Sequence, residues 1–104
     1  MFFKRKKLRE KDEVSIARDE LLGFYTYLQG ANKVLEQLID ASSRKEWNSK
    51  LDSQFIRLDT RIQDTITACK MHKTSYSYIE GHDEAILGLE QVAQELKCLA
   101  QANG

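Results

Sequence analysis

At 104 residues, with sixteen basic and sixteen acidic side chains and no formal net charge, this chain is long enough for one modest core. Proline is absent where average usage gives about five, and only five glycines occur, which excludes a turn-rich architecture and favours long helices with short links. Two cysteines make no disulfide framework, and no apolar stretch approaches the ~20 residues that span a bilayer, so a cytoplasmic protein is expected.

Residues 1–11 read as a flexible basic arm. Lys4, Arg5, Lys6, Lys7 and Arg9 stand there with no acid among residues 1–9, a local +5 that the remainder offsets with −5. Such an arm suits weak, non-specific contact with anionic membrane or nucleic acid. A single helical domain is expected over 12–104. Its first helix, about 12–41, carries Val14, Ala17, Leu21, Phe24, Leu28, Ala31, Leu35 and Leu38 in steps of three and four, which places them on one stripe. Asp12 and Glu13 suit the N-terminal dipole. Gly23 and Gly30 each cost up to ~1 kcal/mol relative to alanine, but the stripe keeps its phase across both. Leu22, Tyr25, Val34 and Ile39 widen this face beyond what one neighbouring helix needs.

Ser43-Arg44-Lys45-Glu46 matches a capping box, which starts a second helix near Arg44 and runs it to about Lys73. Its stripe is Leu51, Phe55, Leu58, Ile62, Thr65 and Cys69, with Thr65 as a polar seam residue able to set register. The third stripe is Tyr78, His82, Ala85, Leu89, Val92, Leu96 and Leu99. Two starts compete: a capping box at Ser77-Tyr78-Ile79-Glu80, or Asp83 as N-cap after a break at Gly81. The second is preferred, giving a helix over 83–101 with 74–82 as a partly ordered connection.

Cys69, His72, His82 and Cys98 invite a zinc reading, but nothing in their spacing brings the two halves together, so they read as core and seam-edge residues. No carboxylate stands three before a histidine, and there is no phosphate-binding loop, nucleophile elbow or HExxH pairing. No catalytic, cofactor-binding or metal-ligating residue is expected, and the chain does not read as an enzyme.

The expected architecture is therefore all-α, a coiled-coil-like antiparallel three-helix bundle, with a homodimer favoured by the wide first face. The expected function is a non-catalytic protein-interaction module, of the small adaptor, inhibitor or chaperone type found in bacteria and phages. It would bind a protein partner or itself through Leu22, Tyr25, Leu28, Val34, Ile39 and Trp47. The alternative is a peripheral anchor to anionic membrane or nucleic acid through Lys4, Arg5, Lys6, Lys7 and Arg9. Trp47-Asn-Ser49, followed by Leu51 and Phe55, resembles the Trp-x-Gly turn of WXG100 proteins. That resemblance implies a dimeric helical hairpin exported by a type VII secretion system. Ser49 takes the place of the defining glycine. The family's C-terminal Tyr-x-x-x-Asp/Glu signal is matched only by Tyr76 with Glu80, ahead of the third stripe.

Overall fold

The computed structural model describes the backbone of residues 2–103 and the side chains of residues 13–102. Three helices, α1 (Phe2–Ser43), α2 (Ser49–Ser75) and α3 (His82–Asn103), are joined by links of five and six residues. No strand occurs among the described residues. All three helices pack on one another.

α1 begins at Phe2, not near Asp12, so the segment expected as a flexible arm is helical backbone. The reason is local. Lysine, arginine, leucine and glutamate dominate residues 4–11, and these unbranched or γ-branched side chains lose little rotamer freedom in a helix. No glycine or proline separates them from the stripe. The side chains of Lys4, Arg5, Lys6, Lys7 and Arg9 lie outside the described residues. At 42 residues α1 is roughly 63 Å long, which accounts for the 61 Å long axis of the molecule. α2 and α3, at 27 and 22 residues, cover only part of it.

The first link differs from expectation. Ser43 ends α1 instead of starting α2, and its hydroxyl donates to the Asp40 carbonyl (2.9 Å). The Glu46 N–H donates to the Ala41 carbonyl (2.9 Å) and the Lys45 N–H to the Ser42 carbonyl (3.1 Å). This bond pair closes a helix when the next residue turns left-handed. Lys45 does so, at φ 60°. Asn48 then caps α2, its Oδ1 accepting from the Leu51 N–H at 3.0 Å. The five-residue link also lets Trp47 set its ring edge-on to Phe55, with centroids 6.1 Å apart.

The stripes form the core. Ala17, Leu21, Ala31, Leu35 and Leu38 from α1 meet Leu58, Ile62, Ile66 and Cys69 from α2, and Ala85, Leu89, Val92, Ala93, Leu96 and Leu99 from α3. Leu38, Ile62, Leu89, Leu96 and Val92 are among the largest side chains fully removed from solvent. Each such burial contributes about 1.5–3 kcal/mol. Two seam assignments need correction. Thr65 is only partly buried, with its hydroxyl turned to the Arg61 carbonyl (2.6 Å), and Ile66 fills the core beside it. Tyr78 is 64% exposed while Ile79 is buried.

The second link explains the Tyr78 reversal. Gly81 sits at φ 116°, so the helical register does not run from Tyr78 into α3, which starts at His82. A Cβ on Gly81 would stand 3.3 Å from the Tyr25 hydroxyl in a backbone region that side chains rarely adopt. Leu28 packs closely over Gly88, where a Cβ would lie 2.5 Å from its Cδ2 and would force the leucine to shift.

Replacing Lys45 tests the helix closure. A left-handed conformation costs a non-glycine residue roughly 1–2 kcal/mol, partly offset by the greater unfolded-state freedom of glycine. Lys45→Gly is therefore expected to stabilise the chain by about 0.5–1 kcal/mol, and Lys45→Val to destabilise it. Urea midpoints at unchanged m-value would measure both.

Candidate functional site

A buried polar cluster lies where α2 turns toward α3. His82 Nδ1 is 3.1 Å from the Ile79 carbonyl, an acceptor only, so the proton is on Nδ1. In the neutral ring Nε2 then carries a lone pair, and His72 Nδ1, 2.7 Å away, must donate to it. Both rings are buried. His72 is further enclosed by Phe24 edge-on at 5.7 Å and Tyr76 at 4.7 Å between centroids. Its Nε2 is 3.1 Å from Glu20 Oε2, yet not aligned as a hydrogen bond. Beside this pair the Tyr25 hydroxyl donates to the Gly81 carbonyl (2.5 Å). Lys73 and Asp83 form an exposed ion pair across the same junction.

The histidines whose meeting no sequence spacing fixed are thus brought together, and two cysteines are not. Cys69 is buried in the core, and Cys98 is exposed on α3. Among the described residues no group of three or more histidine, cysteine or carboxylate side chains could hold a metal ion. The facing histidine nitrogens are committed to each other. Burial pushes the Cys69 thiol up from its ordinary value, which suits a packing group and not a nucleophile.

Among the described residues, two clefts border α1. The first, about 570 Å³, lies between α1 and the second link and is lined by Arg18, Leu21, Leu22, Tyr25, Tyr78 and Gly81 among others. Leu22 is 61% exposed there, close to the 64% exposed Tyr78. The second, about 430 Å³, is a groove between α1 and α2. Tyr27, Gly30, Ala31, Val34 and Gln37 form one wall, and Gln54, Arg57, Leu58 and Arg61 the other. The Tyr27 hydroxyl is shut off from solvent, beside the Thr65 hydroxyl. Burial raises its pKa, outweighing the Arg61 guanidinium and the Thr65 hydroxyl, which lower it. Burial also raises that of Tyr25, with the Glu84 carboxylate and Cys69 acting in the same direction.

The residues expected to bind a partner are divided by the fold. Leu22 and Ile39 are exposed, and Val34 faces the groove between α1 and α2. Tyr25 and Leu28 are half-buried against the second link and α3, while Trp47 packs on Phe55 in the first link. Sequence reasoning missed Tyr27, Gly30, Arg57 and Arg61 as neighbours. A signal existed: Gly30-Ala31 is a small step in a large-residue stripe, and Arg57 and Arg61 are one turn apart. No helix among the described residues is long and apolar enough to cross a membrane. No family model, curated protein or solved structure matches this chain. The likeness to WXG100 proteins therefore rests on residues 47–55 and chain length alone.

Two measurements test this geometry. His82→Leu should cost about 2–3 kcal/mol, because His72 Nδ1 stays buried without its acceptor. Adding His72→Leu should cost much less than the sum, giving a coupling of roughly 0.5–3 kcal/mol in a urea double-mutant cycle. Stability should also fall at alkaline pH. Cys69, Tyr25 and Tyr27 hold their protons more tightly when folded than at their ordinary values of 9.0 and 10.0. The unfolded chain then binds fewer protons above about pH 9, so this contribution, complete below that pH, is lost as pH rises. Urea midpoints from pH 8 to about 10.5 would follow it, and a flat profile would contradict the assignment.

Proposed function

We propose that this chain is a non-catalytic helical interaction module, an antiparallel three-helix bundle that binds a protein partner or a second copy of itself. The orientation is supported by side-chain pairs. Lys73 meets Asp83 and Lys70 meets Glu90 across α2 and α3, while Leu21 lies at Gly81 and Leu28 at Gly88 across α1 and α3. The observation that carries the functional reading is the apolar surface left on α1 after both neighbours are packed. Leu22 and Ile39 remain exposed, and two clefts open beside the helix. Apolar surface gathered around clefts marks association sites more often than scattered exposure does. No constellation for acid–base or nucleophilic chemistry competes with this reading among the described residues. A homodimer and a cytoplasmic setting, with both thiols free, complete it.

A second reading has its own support. Because α1 is helical from Phe2, the five basic residues sit on its first turns, where the helix dipole is already positive and no acidic side chain offsets it. An anionic surface would relieve that charge. Sedimentation separates the two readings. The interaction module predicts self-association or capture of a protein partner by the full chain, lost in Leu22→Asp/Ile39→Asp while the fold survives. A strict monomer that captures nothing would reject it. The anchor predicts salt-sensitive pelleting with anionic vesicles that disappears when residues 2–11 are deleted, and unchanged pelleting would reject that.

A further inference from the structure

We infer that the groove between α1 and α2 receives an acidic amphipathic helix from a partner protein, laid down as a fourth helix with two carboxylates on Arg57 and Arg61. This rests on the interaction-module reading above and names the partner's chemistry for one of its surfaces.

The shape argues for a helix. The α1 wall recurs at Tyr27, Gly30, Ala31 and Val34, and the α2 wall at Gln54, Arg57, Leu58 and Arg61, both with steps of three and one. Two parallel sets of this kind form ridges into which a third helix can lay its own. From Tyr27 to Gln37 the groove follows α1 for about three turns, roughly 15 Å. Its floor is apolar and already desolvated, with Ala31 and Leu58 both buried. Gly30 leaves open space above the backbone, with nothing within 4 Å of where a Cβ would stand. Small residues at such a position let a neighbouring helix approach closely. None of the lining residues belongs to α3, so the groove is separate from the packing of α3 on α1.

The charge argues for carboxylates. Arg57 and Arg61 are one turn apart on the rim, no acidic residue lines the groove, and neither guanidinium is in an ion pair with a described carboxylate. Planar guanidinium groups match carboxylates bidentately, which favours acidic side chains at i and i+4 of the incoming helix.

The test uses two synthetic helical peptides of about three turns that share an apolar face and differ only in two flanking residues, Glu or Lys at i and i+4. Binding to the full chain is read from the amide shifts of Gly30 and Ala31. The Glu peptide is expected to bind at least roughly tenfold more tightly than the Lys peptide. Arg57→Glu/Arg61→Glu should reverse that preference. Gly30→Leu should abolish binding of both peptides while keeping or raising thermal stability, since the added side chain meets open space and removes a helix glycine. Equal affinity for both peptides, binding that persists in Gly30→Leu, or no binding of the Glu peptide at millimolar concentration would overturn the inference. If the peptides fail while the full chain still self-associates or captures a partner, the groove assignment falls alone. If that association is also absent, the interaction reading falls with it.

Discussion

The turn from α2 into α3 depends on one proton arrangement. His82 gives its Nδ1 proton to the Ile79 carbonyl and, by doing so, presents a lone pair that only a donor can meet. His72 supplies that donor from α2. The Ile79 carbonyl and the two rings then form one polar chain beside Phe24 and Tyr76. The facing nitrogens satisfy each other while His72 Nε2 makes no hydrogen bond, so removing either ring would leave a further buried polar atom unpaired. The position of α3 on α1 follows from this turn, because the Tyr25 hydroxyl reaches the Gly81 carbonyl from α1. Leu28 is then brought over Gly88, seven residues further along α3.

α1 stands apart from the other two helices in length. Its inner side is filled by α2 and α3, and its stripe residues are among the most buried in the molecule. Its flanks keep Leu22 and Ile39 in contact with water and border both clefts. Burying those flanks would remove further apolar area from water, which is the basis of the association proposed above. The basic side chains near its N-terminus add charge to the same element.

The three stripes were legible because apolar spacing is a local property of a helix. Ala17, Leu21, Leu35, Leu38, Leu58, Ile62, Cys69, Leu89, Val92 and Leu96 are buried where the periodicity put them. The helix ends were less legible. Ser43 satisfied the capping-box pattern, yet the chain closed α1 through Lys45 and capped α2 at Asn48, because several nearby residues could serve each purpose. Thr65 and Tyr78 lay on the stripe by counting. They left it in space because Ile66 and Ile79 bury more apolar surface once the neighbouring helices are in place. The α1–α2 groove was the least legible of all. Its walls lie on different helices, and no pattern within either helix records the other.

The amino-acid sequence by itself determined that this protein is helical, that it has three apolar stripes, and that Gly81 could end what the third stripe alone would have continued. These follow from side-chain period and backbone freedom, which act within a few residues. Only the tertiary structure decided that His72 and His82 share a hydrogen bond, that Arg57 and Arg61 stand over an apolar groove, and that Leu22 is exposed while Leu28 packs over Gly88. Those outcomes depend on which helix lies beside which, and at what height. That choice is made by the whole core when it closes, where the fit of distant side chains outweighs any local preference.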